Sequence, residues 1–201
     1  MKLIQIAGFL GSGKTSIILK IGKKLSTERG KKVNIIVNDF GEVGIDGEVI
    51  KQYGLDTLEI AGGCICCTMA ASLIKTLETL KNNFNPDFVI LEPSGIAYPA
   101  QITESLDRSG TPRGLIFALV DISRFEEIIR FQGIRLGRRQ VEESDIIIIN
   151  KIDLATSEEY IKESAKFLKE VNTSAEILTH SIKDSATIEP IIDRLILELG
   201  E

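Results

Sequence analysis

The stretch "GFLGSGKT", residues 8–15, decides the fold of this 201-residue chain. It fits the pattern G-x-x-x-x-G-K-[ST] and lies between an apolar run, "LIQIAG", and a helical pattern, which is the context that the motif requires. Its glycines allow a tight turn, so that backbone N–H groups and the start of the next helix can face phosphate oxygens. The alternative is a glycine-rich turn with a chance lysine, but every motif position is filled. The stretch therefore predicts the binding of a nucleoside triphosphate.

The residues of this phosphate loop have separate predicted roles. Lys14 can bridge the β- and γ-phosphates, and the hydroxyl of Thr15 can ligate Mg²⁺. The rest of the loop and the start of the helix are predicted to contact the nucleotide, namely Gly8, Gly11, Ser12, Gly13 and Ser16.

Apolar runs alternate with helical patterns along the whole chain. The runs are rich in Ile, Val and Leu without strict alternation, which is typical of parallel strands covered on both faces. Strands are predicted at 3–8, 33–38, 57–61, 88–92, 114–121, 145–150 and 175–180, and helices at 14–29, 69–83, 99–108, 123–141, 157–171 and 187–199. This order predicts an α/β fold of the P-loop NTPase type, with a doubly wound, mainly parallel sheet of about seven strands. We expect residues 1–201 to form a single domain.

Composition and charge exclude several classes of protein. The net charge is −5, which gives no reason to expect nucleic acid or an acidic membrane as a partner. No apolar stretch approaches the roughly 18 residues of a membrane span, and the apolar N-terminus lacks the cleavage pattern of a signal peptide. The three cysteines are clustered, unlike the disulfide framework of a secreted protein. We therefore expect a cytoplasmic protein.

The stretch "NKID", residues 150–153, indicates which base is bound. Asp153 can accept two hydrogen bonds side by side, which suits guanine N1–H and its exocyclic amine, whereas adenine lacks these donors. Lys151 can lie over the plane of the base, and Asn150 can hold neighbouring loops together. Because this stretch ends an apolar run and follows a complete phosphate loop, it favours GTP over ATP. His180 ends the next strand and either contacts the base or is an ordinary loop histidine.

Carboxylates are predicted near the γ-phosphate. Glu92 ends a strand in "FVILEPSG" and could hold a Mg²⁺-bound water, while the N–H of Gly95 could approach the γ-phosphate. Asp39 and Glu42 follow the second strand and could assist Mg²⁺ binding or orient the attacking water, or be solvated turn residues. No glutamine has an obvious water-positioning place, so slow GTP hydrolysis is expected without a metal or a partner. The predicted catalytic residues are Lys14, Asp39, Glu42 and Glu92.

The stretch "GGCICC", residues 62–67, holds every cysteine of the chain: Cys64, Cys66 and Cys67. It leads into a predicted helix, whose N-terminus lowers thiol pKa values and favours thiolates. Neighbouring thiolates repel one another, and a thiophilic divalent ion such as Zn²⁺ or Co²⁺ relieves that repulsion. Water, Glu42 or a partner could supply a fourth ligand. A redox C-x-x-C pair and simple packing are the alternatives. The preferred interpretation is a transition-metal site.

Together these stretches resemble the CobW-type metallochaperone GTPases, a branch of the SIMIBI-class P-loop GTPases related to UreG, HypB and MeaB. The resemblance is carried by "GFLGSGKT", "NDFGEVGIDG", "GGCICC", "LEPSG", "ALVD" and "NKID", in family order along nearly the whole chain. It implies that GTP hydrolysis is coupled to metal delivery and that Cys64, Cys66 and Cys67 are the metal ligands. It also implies a client metalloprotein or corrinoid protein and a GTP- or metal-dependent homodimer.

Two features depart from the family pattern. Many members continue into a second, C-terminal domain and carry a histidine-rich stretch, whereas this chain ends at Glu201 and has one histidine, so we expect no C-terminal CobW domain in it. Members often have an acidic residue where this chain has Val37, which leaves the fourth metal ligand open. The alternative function is a regulatory GTPase with a structural zinc, or a GTP-dependent activase of a cobalamin, corrinoid or metalloenzyme partner.

Overall fold

A parallel β-sheet forms the centre of the computed structural model, which describes residues 1–37, 56–59, 68–108, 110–111, 113–131 and 135–200, with the backbone alone at 56–59 and 68–70. The strands are β1 (Lys2–Gly8), β2 (Val33–Val37), β3 (Asp56–Glu59), β4 (Phe88–Glu92), β5 (Leu115–Asp121), β6 (Ile146–Asn150) and β7 (Glu176–His180). They form one seven-stranded sheet in the order β3-β2-β4-β1-β5-β6-β7. The predicted α/β fold is confirmed.

Helices connect the strands. They are α1 (Lys14–Thr27), α2 (Thr68–Asn83), α3 (Pro99–Arg108), α4 (Arg135–Glu142), α5 (Glu158–Val171) and α6 (Glu189–Leu197). Short helical turns occupy Ile122–Arg124, Glu126–Arg130, Ile152–Leu154 and Ser185–Ile188. Across the described ranges, no helix combines the length and the apolar character that crossing a membrane requires.

The five inner strands of the sheet, β1, β2, β4, β5 and β6, are buried on both faces. On one face, α1 and α6 cover the strands, with Ile18 and Ile192 fully buried against Ile6 and Ile148. On the other face, Ile147 of β6 packs in a second cluster that α4 and α5 complete. Strands covered in this way need apolar residues at successive positions, which explains why their sequences do not alternate.

The single helix predicted over 123–141 is wrong. A π-helical turn at Glu126–Arg130 ends at Phe131, whose backbone is extended with φ −74° and ψ 122°, and α4 begins only at Arg135. A Cβ atom on Gly137 would lie 2.4 Å from Cγ2 of Ile128. In one straight helix these two residues would be roughly 13 Å apart along the axis, so the two segments instead pack against each other. Helical periodicity continues on both sides of the break, and the pattern alone does not reveal it.

Strand order brings the predicted site residues to one edge of the sheet. β1 lies between β4 and β5, so the chain reverses its direction of winding there, which is where ligands bind in open α/β sheets. Register places Gly8 beside Leu119, and Asp121 beside Asn150. Asn150 in turn lies beside His180. The carboxyl ends of the central strands therefore form one continuous edge.

Candidate nucleotide site

The phosphate loop joins β1 to α1, and its glycines take up backbone conformations that favour glycine. Gly11 and Gly13 have φ values of +76° and +94°. A Cβ atom on Gly13 would also lie 2.6 Å from Nδ2 of Asn150. At Gly13, both the backbone conformation and the neighbouring side chain therefore exclude larger residues.

The last two residues of the loop, Lys14 and Thr15, were predicted to bind phosphate and Mg²⁺, and both side chains are held by protein groups. Lys14 begins α1 and is 8% exposed, and its Nζ donates to the carbonyl oxygens of Gly8 at 3.0 Å and Phe9 at 3.4 Å. Oγ1 of Thr15 donates to Oε1 of Glu92 at 2.8 Å. A hydroxyl beside a carboxylate is a pair of hard oxygen ligands, and this pair fits Mg²⁺. Thr15 can bind the ion directly and Glu92 can hold one of its waters.

The loop after β4 lies directly against the phosphate loop. A Cβ atom on Gly95 would lie 3.1 Å from the backbone nitrogen of Leu10 and 2.7 Å from its Cδ2. From the other side, Nε2 of Gln140 donates to the carbonyl oxygens of Gly95 at 3.2 Å and Ala97 at 3.0 Å. Gly95, predicted to approach the γ-phosphate, therefore lies between the phosphate loop and α4.

The end of β6 and the residue after it connect the predicted base-binding region to the phosphate loop. Nδ2 of Asn150 donates to the carbonyl oxygen of Ser12 at 2.7 Å. Lys151 has a left-handed backbone with φ 60°, and its Nζ donates to Oδ2 of Asp121 at 2.6 Å and to the carbonyl oxygen of Gly11 at 2.8 Å. Asp121 is 5% exposed, so this ion pair is largely shielded from water on its acidic side.

Asp153 is oriented by the loop that follows β7. Its Oδ1 accepts a hydrogen bond from Oγ of Ser181 at 2.6 Å, and its Oδ2 lies 2.9 Å from Nζ of Lys183. The hydrogen bond from Ser181, followed by that from Lys183, holds the pKa of Asp153 below its ordinary value. The carboxylate is therefore ionised at neutral pH, which is the form that can accept two donors from a base.

His180 lies behind Asn150. It is 2% exposed, and its Nδ1 is 2.8 Å from Oδ1 of Asn150. Because Nδ2 of Asn150 donates to Ser12, Oδ1 is the acceptor, and His180 carries its proton on Nδ1. Burial, followed by the charge of Lys20, lowers the pKa of His180 to about 4. The ring is therefore neutral at physiological pH.

Residues 2–179 match the family model described as CobW/HypB/UreG, nucleotide-binding domain. The chain belongs to this family. It is 32% identical over 180 residues to a zinc chaperone CobW from Sinorhizobium sp, a match that covers 74% of this chain and 50% of that protein. The chain thus spans about half the length of this curated relative. The family resemblance predicted from the motifs is confirmed.

Solved structures share the fold of this CobW/HypB/UreG family chain. Hydrogenase maturation factor HypB from Archaeoglobus fulgidus superimposes with a TM-score of 0.74 at 21% identity, covering 99% of this chain and 90% of that one. The Zn(II)-bound YjiA GTPase from E. coli has a TM-score of 0.64 at 26% identity, covering 92% of this chain and 59% of that one.

Some predicted residues of this CobW/HypB/UreG family member lie outside the described ranges. The structure does not place the two carboxylates after β2 or the cysteines, which are Asp39, Glu42, Cys64, Cys66 and Cys67. Ser16 is described and lies exposed in the first turn of α1.

Three residues that contact the predicted site were not among the predicted site residues. Ser181 and Lys183 bind Asp153, and Asp121 binds Lys151. Their positions in the sequence were suggestive. Ser181 and Lys183 lie in "SIKD", directly after the seventh apolar run, and Asp121 ends "ALVD" in the fifth run, at the same sheet edge. Serine, lysine and aspartate are common in loops, so their positions carried little weight until strand order was known.

Proposed function

We propose that this CobW/HypB/UreG family chain binds and hydrolyses GTP and couples its nucleotide state to a metal held by its C-x-C-C stretch. The observation that carries the proposal is one sheet edge at which the groups proposed to bind phosphate, Mg²⁺ and guanine lie side by side. Lys14 lies on the phosphate loop, Thr15 bonds Glu92, and Asp153 is ionised and oriented. These groups together match the chemical needs of Mg·GTP.

Hydrolysis in this site would depend on positioned charge. Lys14 would exchange the carbonyl oxygens of Gly8 and Phe9 for phosphate oxygens, which places an ammonium where negative charge develops. Thr15 and Glu92 would hold Mg²⁺, which neutralises charge on the β- and γ-phosphates when bound. The N–H of Gly95 would approach the γ-phosphate from the neighbouring loop. Slow turnover without a metal or partner protein remains part of the proposal.

Guanine selectivity would follow from the state of Asp153. An ionised carboxylate fixed by Ser181 offers two adjacent acceptors to guanine N1–H and its exocyclic amine. Adenine lacks those donors and would leave the carboxylate desolvated and unpaired, at a cost on the order of a few kcal/mol. Lys151 would lie over the base, while Asn150 and His180 keep the loops together from behind.

Metal coupling would use the connection between β3 and α2, which contains Cys64, Cys66 and Cys67. That connection leaves the sheet at the carboxyl end of β3, and β3 pairs with β2, which pairs with β4 and its Glu92. A metal bound there and a nucleotide bound at Glu92 would share one sheet edge. By linkage, each would change the affinity of the other by the same factor.

Delivered Zn²⁺, or another thiophilic ion such as Co²⁺, would be the cargo. The relatives support this choice, since one is called a zinc chaperone and a solved GTPase relative is Zn(II)-bound. Thiolate ligands persist in a reducing compartment, which favours the cytoplasm. A client metalloprotein or corrinoid protein would receive the metal or be activated by it, with Glu42 as the candidate fourth ligand.

The test is Zn²⁺ affinity, measured by competition with a chromophoric chelator in Mg·GDP and then in a Mg·non-hydrolysable GTP analogue. We expect a difference of at least about tenfold, or about 1.4 kcal/mol. Co²⁺ absorption would report thiolate ligation directly.

Two variants serve as controls for this measurement. Cys66→Ser should weaken metal binding in both nucleotide states, whereas Lys14→Ala should keep metal binding but remove its dependence on nucleotide. Equal Zn²⁺ affinity in both states, together with metal-independent hydrolysis, would overturn the coupling. Tight binding that ignores the nucleotide would instead indicate a regulatory GTPase with a structural zinc.

A further inference from the structure

One buried glutamine of α4 binds the loop after β4, far from it in sequence. Gln140 is 2% exposed, and its Nε2 donates to the carbonyl oxygens of Gly95 and Ala97, which lie 45 and 43 residues earlier. Both neighbours are acceptors, so the side-chain group that faces them is the NH₂. A buried NH₂ group is costly to leave without acceptors, so these two hydrogen bonds make the contact specific.

Two residues close to Gln140, Arg139 of α4 and Glu143 directly after it, contact the same loop further along. Oε2 of Glu143 accepts a hydrogen bond from the backbone nitrogen of Ala100 at 2.9 Å, at the start of α3. The guanidinium of Arg139 lies 5.7 Å from the centre of the Tyr98 ring. The last turn of α4 and Glu143, the residue directly after it, therefore fix the loop from Gly95 to the first turn of α3.

The opposite side of this loop meets the phosphate loop. Gly95 approaches Leu10 so closely that an added Cβ atom would lie 3.1 Å from the Leu10 nitrogen. Gln140 also borders, with Ser12, a small cavity behind the phosphate loop. The main chain at Gly95 is thus enclosed between Gln140 and the phosphate loop.

α4 itself is tightly packed against its neighbours. Gly137 packs so tightly on the preceding π-helical turn that a Cβ atom would lie 3.0 Å from the carbonyl oxygen of Ile128. Val141, next to Gln140, is 1% exposed in the cluster that includes β5 and β6. A side chain mounted on so tightly packed an element can hold its partners within a narrow range of positions.

We infer that Gln140 is a positioning residue for GTP hydrolysis, which fixes the main chain at Gly95 against the phosphate loop so that it meets the γ-phosphate. The inference rests on the proposed function, because it assigns Gln140 to the same site. Gln140 acts through Gly95 and does not touch the nucleotide. Its loss should therefore affect the triphosphate state more than the diphosphate state.

The test compares Gln140→Met, which keeps the length but removes the donor, with Gln101→Met, an exposed glutamine of α3. Steady-state GTP hydrolysis, affinities for GDP and for a non-hydrolysable GTP analogue, and thermal unfolding are measured for each. We expect kcat of the Gln140 variant to fall about tenfold. Affinity for the GTP analogue should fall about fivefold while affinity for GDP stays within about twofold. The Gln101 variant should match the parent chain.

A second variant keeps the test decisive if Gln140→Met folds poorly. Glu143→Gln removes the charge from the bond to Ala100 at the rim of the same contact, and a smaller loss of kcat, about twofold to threefold, is expected. A lower unfolding temperature with unchanged kcat and an unchanged ratio of GTP-analogue to GDP affinity would overturn the positioning role. A parent chain that hydrolyses no GTP would overturn the proposed function and this inference together.

Discussion

The two ends of the candidate nucleotide site differ in how their side chains are held. At the phosphate end, Lys14 bonds carbonyl oxygens of its own loop and Thr15 bonds Glu92. These partners must give way when phosphates and Mg²⁺ bind. At the base end, Asn150 bonds the phosphate loop and Asp153 is fixed by Ser181. The bond from Ser181 orients Asp153, whose two carboxylate oxygens would each accept one further hydrogen bond from the proposed guanine.

This difference separates a site that reorganises from one that is already formed. Under the proposed function, binding at the base end would cost little reorganisation, so it would contribute specificity common to GTP and GDP. Binding at the phosphate end exchanges protein contacts for ligand contacts, so it depends on how many phosphates are present. A domain built in this way can retain its nucleotide while its phosphate end changes state.

The largest effect is expected from a substitution at the phosphate end of the site. Lys14→Ala should lower affinity for Mg·GTP by at least about 100-fold, or about 3 kcal/mol, because a charge-assisted contact with two phosphates is lost. Isothermal titration calorimetry measures it, with Lys23→Ala on the exposed face of α1 as the matched control. An affinity equal to that of the parent chain would mean that Lys14 stays on its carbonyl partners when nucleotide binds.

The next largest effect is expected when an acceptor at the base end is replaced by a donor. Asp153→Asn should lower GTP affinity about 50-fold, or about 2.3 kcal/mol, because one acceptor becomes a donor that faces the guanine amine. The same amide offers a donor to the C2 carbonyl of xanthine, so affinity for XTP should rise. Competition between GTP and XTP against a fluorescent nucleotide reads both changes. Unchanged preference for GTP would show that Asp153 does not contact the base.

A pH titration tests the state of His180, which lies behind Asn150 at the base end. The pKa of His180 is lowered from 6.5 to about 4 in the folded chain, so the unfolded chain binds a proton between these values that the folded chain does not. The contribution of His180 to the free energy of unfolding should therefore be almost fully present above pH 6.5. The free energy of unfolding should fall by about 2 kcal/mol between pH 7 and pH 5.

Urea denaturation at several pH values measures this decrease, and His180→Gln is the control because His180 is the single histidine of the chain. The glutamine variant should lose the dependence over the same range. The window stays above the ordinary pKa values of the carboxylates, so their titration contributes little. Parallel pH profiles for the two chains would contradict the buried, neutral state of His180.

The smallest effect is expected from a substitution that tests whether the base end is already formed before nucleotide binds. Ser181→Ala removes the hydrogen bond that orients Asp153 and leaves the ion pair with Lys183. Affinities for GTP and GDP should both fall about fivefold, or about 1 kcal/mol, because the change lies at the base. Ser185→Ala, at the exposed start of the next helical turn, is the control. A loss confined to GTP would place Ser181 in the phosphate-dependent part of the site.

The sequence by itself determined the parts of this protein that are contiguous along the chain. The phosphate loop needs glycines, a preceding strand and a following helix within a few residues, so "GFLGSGKT" could be recognised directly. The five inner strands could be recognised because burial on both faces requires unbroken runs of apolar residues. The helix predicted over 123–141 failed because its periodicity continues across the break at Phe131.

Only the tertiary structure decided which distant side chains meet. Ser181 and Asp153 are 28 residues apart, and Lys151 and Asp121 are 30 apart. Gln140 is 45 residues from Gly95. Each pair consists of common residue types. Their contact depends on the order of strands in the sheet and, for Gln140, on the packing of α4 against the π-helical turn that precedes it. Local sequence does not encode that order, because it follows from how all the apolar faces are buried together.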